Sequence, residues 1–248
     1  MIVLGLACED GGHYLAVTTL VDAVLVRDVG WLVSDTVEHC REWRGYERGQ
    51  PWSKCGRDDA PRAFEIDGRR VSLHGPIDGA PLKHGARMWR EVLWRFTLLD
   101  PRPDVVVLAQ DGDGRRHDRL GGLDQVRRAA SLRWPFRIVV AMPEPEIEAW
   151  HVAGFEPGNE AEHATLARVR ADLSFDPRIE SHKLTSQPND AATDAKRVLA
   201  RLCGSDTDRE AACLDDHDRL RDRGAANGAA DFLAEVEELL VPCFGVPG

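Results

Sequence analysis

The stretch Asp104-Val105-Val106-Val107-Leu108-Ala109-Gln110-Asp111-Gly112-Asp113-Gly114 decides how this chain is read. Residues 105–109 form a continuous apolar run rich in β-branched side chains, the pattern of a strand buried on both faces of a parallel sheet. The run then breaks into aspartates interleaved with glycines, residues that favour turns. The same layout recurs on either side of it. Ile2 to Cys8 leads into Glu9-Asp10-Gly11-Gly12, and the run 136–141 leads into Met142-Pro143-Glu144-Pro145-Glu146-Ile147-Glu148-Ala149-Trp150. Helical periodicity at about 13–26, 82–99 and 118–132 separates these runs. Strands alternating with helices predict an α/β fold with a mainly parallel sheet flanked by helices.

Two segments depart from this alternation. Residues 40–81 are rich in Arg, Gly, Pro and Trp and carry one hairpin signal: Phe64-Glu65-Ile66, then Asp67-Gly68, then Val71-Ser72-Leu73. The segment is expected to be an insertion outside the central sheet. From about residue 160 onward the chain reads as helices broken at Pro177, Pro188 and Gly224. The expected organisation is an α/β core over 1–155, with the insertion at 40–81, and a helical C-terminal extension over 156–248 packed on that core.

The 248 residues carry 32 basic and 42 acidic side chains, a net charge of −10, with 43% hydrophobic, 30% charged and 6% aromatic residues. These values exclude a wholly disordered, collagen-like or coiled-coil chain. They also argue against a broad basic face, so contact with nucleic acid requires a local patch. The longest nearly apolar stretch, 15–26, contains Asp22 and falls short of the roughly 20 residues that span a bilayer. With no basic leader at the start, a cytoplasmic protein with no membrane association is expected. The cysteines Cys8, Cys40, Cys55, Cys203, Cys213 and Cys243 include no Cys-x-x-Cys pair, which fits reduced thiols. His39, Cys40 and Cys55 are a weaker alternative as the start of a metal site.

The chemistry concentrates at the strand ends. In an extended backbone Asp111 and Asp113 leave the same face, and open α/β sheets bind ligands at this edge. Paired carboxylates suit Mg²⁺ or Mn²⁺, which take hard oxygen ligands and water. Gly112 and Gly114 let a backbone approach an ion or phosphate; the alternative is an ordinary solvated turn. Glu9 and Asp10 end the first strand, and Glu144, Glu146 and Glu148 follow the run 136–141, so three strand ends deliver acids to one edge. For the glutamates the alternative is a helix start behind Pro145, where acids favour the dipole. Arg115, Arg116 and Arg119 follow the aspartates, and Arg127, Arg128, Lys183 and Lys196 are further candidates for gripping phosphate. Solvated helix faces carry such cations too. His117 and His182 are candidates for proton transfer, whereas Trp89, Trp94 and Trp150 read as core residues.

In order, Leu4-Gly5-Leu6-Ala7-Cys8-Glu9 and then Asp111-x-Asp113 after an apolar strand resemble the Toprim domain of topoisomerases, primases and overcoming-lysogenization-defect nucleases. Glu146-Ile147-Glu148-Ala149-Trp150, with Asp194-Ala195-Lys196 and Val198-Leu199 further on, looks more narrowly like stand-alone bacterial Toprim-like proteins. The resemblance covers about the first 155 residues. Two features depart from it: Asp10-Gly11-Gly12-His13 replaces the usual small residues, and the segment 40–81 has no assigned counterpart. The resemblance implies a Toprim-like, Rossmann-like sheet. It also implies a role for Glu9 in acid-base chemistry or metal binding, Asp111 and Asp113 as Mg²⁺ or Mn²⁺ ligands, and Glu148 as an added ligand or base beside Glu146. The expected activity is metal-dependent hydrolysis of DNA or RNA phosphodiesters in a phage-defence setting, alone or with an ATPase partner. Tyr14 and Tyr46 lie outside any topoisomerase-like context, so activated water is the expected nucleophile.

Two rivals share these features. Asp-x-Asp-Gly after an apolar strand also resembles the haloacid-dehalogenase-type phosphatases, but the next strand ends in Met142-Pro143 rather than Ser or Thr, and Asp215-Asp216 sits in a polar context. The other rival is a non-catalytic Toprim-like subunit that binds a partner and keeps its acids for metal-dependent stability.

Overall fold

Residues 1–45, 64–66, 69–71, 75–187 and 191–245 are described by the structure, a computed structural model. In chain order the core elements are β1 (Ile2–Cys8), α1 (Gly11–Asp28), α2 (Ser34–Cys40), β2 (Arg41–Arg44), β3 (Phe64–Ile66), β4 (Arg69–Val71), α3 (Ala86–Phe96), β5 (Val105–Ala109), α4 (Arg116–Arg127) and β6 (Arg137–Ala141). The helices α5 (Glu148–Gly154), α6 (Glu160–Leu173), α7 (Ala195–Cys203), α8 (Thr207–Ala211), α9 (His217–Arg223) and α10 (Ala229–Glu235) complete the chain.

The fold is α/β, as the alternation predicts. β1, β2, β5 and β6 form one parallel sheet in the order β2-β1-β5-β6. One expectation fails here. Arg41–Arg44 was expected outside the sheet, yet it pairs with Ile2–Gly5 of β1 as an edge strand. Its sequence, Arg-Glu-Trp-Arg, has none of the apolar continuity of a buried strand, because an edge strand is half-exposed and takes its order from the neighbour's backbone. The hairpin pairs Phe64–Ile66 with Arg69–Val71, two residues earlier than Val71-Ser72-Leu73. Residues 67–68 and 72–74 lie outside the described residues, as do Cys55 and Pro188.

Side-chain alternation along the strands makes two cores. Leu4, Leu6, Cys8, Val105, Val107, Ala109, Val139 and Ala141 bury against α1 and α10. Val106, Leu108, Ile138 and Val140 face the other way, onto α3 and α4. α3 lies so near β1 that a Cβ on Gly5 would come within 2.8 Å of the Phe96 ring. The C-terminal helices have their own core around Val152, Phe155, Leu166, Val169, Val198 and Leu202. α5 ties the two parts together, since Trp150 and Ala153 belong to the sheet core and Val152 and Phe155 to the helical one.

The predicted helix over 82–99 is shorter than its apolar pattern. It begins at Ala86, after Gly85 at φ +76°, because the chain from Leu82 to Gly85 turns against α4. The topology also locates the ligand edge. β1 continues through α1 to β2 on one side, while β5 lies on the other, so the strand order diverges between β1 and β5. Open parallel sheets open a crevice at the carboxyl ends of two such strands, and these ends carry Glu9 and Asp111.

Candidate metal centre

Asp10 caps α1. Its side chain accepts from the His13 backbone N–H at 3.0 Å and from the His13 ring Nδ1 at 2.9 Å. The ring reaches across the crevice, where Nε2 lies 2.9 Å from Asp111 Oδ1. His13 is 0% exposed. With a carboxylate at each nitrogen both must donate, so the ring is an imidazolium. Burial by itself would lower its pKa; the hydrogen bonds to Asp10 and Asp111 and their charges outweigh burial and push it up to about 10.

Asp111 Oδ1 also accepts from the Ile147 N–H at 2.9 Å, which fixes the carboxylate against the start of α5. Glu9 accepts from Gln110 Nε2 at 3.2 Å and from the Asp111 N–H at 3.3 Å. Burial, and then the neighbouring Asp111 charge, raise the Glu9 pKa. One ligand atom from each of Glu9, His13 and Asp111 lies within 4.8 Å of the others.

Glu146 and Glu148 stand beside this group. Lys196 Nζ is 3.5 Å from Glu146 Oε2 and 4.0 Å from Glu148 Oε1. Glu146 is 3% exposed. Burial, then the charge of Glu148, push its pKa up to about 7 despite Lys196, with Asp111 and Asp194 adding to the rise. Glu148 is raised too, first by burial. Asp194 is the N-cap of α7, accepting from the Arg197 N–H at 2.8 Å, and is itself buried.

The donor set suits a divalent cation. Glu146 Oε1, Glu148 Oε2 and Asp194 Oδ2 are buried oxygens with no hydrogen-bond partner among the described residues. A buried polar atom left unpaired costs roughly 1–3 kcal/mol, and more when charged, whereas a cation among carboxylates supplies the missing interaction. Glu9 and Asp111 are the residues of the Glu9–His13–Asp111 group that could hold Mg²⁺ or Mn²⁺; Glu146 and Glu148 lie outside the group, near enough for the Asp111 charge to act on them. His13 spends both nitrogens on carboxylates and serves better as an orienting donor than as a ligand.

Asp113 takes a different place from the one its spacing predicts. The backbone is not extended past β5: Asp113 has φ +50°, its N–H bonds the Pro145 carbonyl at 2.8 Å, and the Arg115 N–H closes a turn onto Gly112 at 2.8 Å. Its carboxylate, 42% exposed, pairs with Arg119 at 2.6 Å, so Asp113 is not part of the Glu9–His13–Asp111 group. A Cβ at Gly112 would lie 2.9 Å from the Pro143 carbonyl and would displace the carboxylate of Glu144. That carboxylate accepts the Gly114 N–H at 2.8 Å and the Arg116 N–H at 3.1 Å, a structural task for Glu144.

The candidate phosphate cations are dispersed. Arg116 braces the Met142 carbonyl at 2.8 Å and Asp231 at 2.7 Å. Arg115 is exposed, 4.0 Å from Asp118. Lys183 pairs with Glu180 and lies over the Phe175 ring. Arg127 bridges Asp124 and Glu235, and Arg128 lies 3.8 Å from Asp124. Of these cations, Lys196 alone pairs with the acids of the site. His117 is exposed and His182 half-buried; His39 is exposed beside Glu38. Trp89 and Trp150 are buried, and Trp150 Nε1 donates to the Asn227 carbonyl at 2.9 Å.

Sequence reasoning gave His13 and Asp194 no role. Both had a readable signal: Asp10 and His13 stand at cap spacing directly after a strand, and Asp194 precedes a helix carrying Lys196. Among the described residues, no helix is long and apolar enough to cross a membrane. No protein-family model, curated protein or solved structure matches this chain.

Proposed function

We propose that the protein is a Toprim-like, metal-dependent phosphodiesterase acting on nucleic acid. The observation that carries this reading is the meeting of Glu9 and Asp111 at the divergence between β1 and β5, with Glu146, Glu148 and Lys196 alongside. Strand order and motif position support it together: a glutamate ends the first strand, and an aspartate ends the strand paired to it.

A divalent cation held by Glu9 and Asp111 would supply charge neutralisation at a phosphate oxygen and acidify water. The chain's own groups do the rest. His13 locks the Asp111 carboxylate in place. Lys196, more than half exposed yet anchored on two glutamates, presents an ammonium to an incoming phosphate. Burial raises the pKa of both Glu9 and Glu146, so each holds a proton more readily than an ordinary carboxylate. Glu9 is assigned as the proton acceptor, because it sits against Asp111 at the crevice.

The test pairs binding with turnover. Asp111→Asn should reduce Mn²⁺ affinity in isothermal titration by at least tenfold, whereas Asp113→Asn should leave it within about twofold. Glu9→Gln should weaken Mn²⁺ binding as well and, with Mn²⁺ raised to saturation, still lower cleavage of DNA or RNA by about 10²–10⁴-fold. The reading fails if Mn²⁺-loaded protein leaves single strands, duplex and structured RNA intact; hydrolysis of a small phosphomonoester in that case would put a phosphatase in its place.

A further inference from the structure

A cavity of about 260 Å³ opens directly beside the carboxylates, walled by α1, the start of α5, α7 and α8. It is continuous with the site. Gly12, Ile147, Glu148 and Lys196 line it, and the Ile147 N–H is the group that holds Asp111. Beyond them the walls turn apolar, through Leu15, Leu199 and Leu214. Leu15 is 59% exposed, although Leu20 and Leu25 of the same helix are fully buried. A leucine left at the rim of a concave, largely apolar cavity fits a surface shaped for a ligand.

We infer that this cavity receives one unpaired nucleobase of the strand whose phosphate lies at Asp111, which makes single-stranded or locally unpaired nucleic acid the substrate class. The inference rests on the phosphodiesterase reading. Three observations carry it. The cavity, about 260 Å³, has room for a purine or a pyrimidine. A base inside a duplex cannot enter such a cavity without leaving the stack. The lining also matches the two sides of a base: leucines for its faces, and polar groups for its edge. His151 Nδ1 lies 2.9 Å from the Glu210 carbonyl and donates to it, which leaves Nε2 of this cavity-lining ring as an acceptor for a base N–H. Burial lowers the His151 pKa and keeps the ring in that neutral form. Thr19 and Thr207 add hydroxyls to the same walls.

The test fills the cavity from its α1 wall, away from every carboxylate. Leu15→Trp and Thr19→Phe change one exposed and one half-exposed helix position, so Tm and Mn²⁺ affinity should match the parent protein. The probes are a mixed-sequence 12-nucleotide single strand as DNA and as RNA, its blunt duplex, and the same strand with abasic residues. Cleavage is measured with Mn²⁺, and binding of the fluorescein-labelled strand by anisotropy in Ca²⁺. The parent protein should bind and cleave the single strand at least tenfold better than the duplex or the abasic strand. Both variants should lose at least tenfold on the single strand and little on the abasic one. Equal action on single strand and duplex, or losses by the variants on all probes alike, would overturn the base cavity and leave the phosphodiesterase standing. If the parent protein neither binds nor cuts any probe, both readings fall.

Discussion

Replacing His13 by glutamine tests whether the crevice is organised by a buried positive charge. The imidazole titrates near 6.5 in an unfolded chain and at about 10 in the fold. A raised pKa means that the folded state holds the proton more tightly. The stabilisation is therefore complete below about pH 6.5, declines as pH rises, and is gone above about pH 10. At pH 7, three units below the folded value, it is on the order of 4 kcal/mol. Hydrogen-bond reasoning agrees: the ring makes two bonds of 2.9 Å to carboxylates, and such charged bonds contribute roughly 1.5–3 kcal/mol each. Glutamine restores one neutral hydrogen bond, so a loss of about 3 kcal/mol is expected at pH 7, or roughly 6–12 °C in Tm for a chain of this size. Urea unfolding of both proteins at half-unit steps from pH 6 to 10 measures the gap, and proton–nitrogen NMR of the ring reads the pKa directly. The gap should close steadily over that range. A gap that stays constant from pH 6 to 10, or a His13 ring titrating near 6.5, would refute the buried imidazolium.

Glu146→Gln should act with the opposite sign. An acid whose pKa rises to about 7 on folding opposes folding progressively above about pH 4.5, so the variant should be more stable than the parent at pH 8 by roughly 3 kcal/mol, with no difference at pH 4. Matching urea midpoints at pH 8 would count against the burial argument. Glu235 caps the open side of β6, taking the Val140 N–H at 2.9 Å and Arg127 at 2.7 Å; Glu235→Ala should cost about 1–3 kcal/mol and speed amide exchange at Val140. Gly154→Ala should cost about 1–3 kcal/mol or more, because the added carbon would lie 1.8 Å from the Cys213 carbonyl; a neutral result would mean that α5 and the turn at Cys213 are not packed as described.

What the amino-acid order determines here is the local part. Five apolar residues before Gln110, and matching runs at 2–8 and 136–141, specify buried strands because their side chains have no stable place in water. Acids at their ends follow from the need to end a buried strand in polar loops. The tertiary structure decided the rest. β2 is a strand because β1 offers it an unpaired edge, which no periodicity in Arg41–Arg44 announces. Asp111 and Asp113 look alike in sequence, but one is gripped by His13 and Ile147 and the other turns to Arg119, since bonds from the loop after β6 bend the backbone between them. His13 lies 98 positions from Asp111. Charge–charge and hydrogen-bond energies depend on distance in space, so only the folded chain turns an ordinary cap residue into the group that organises the site.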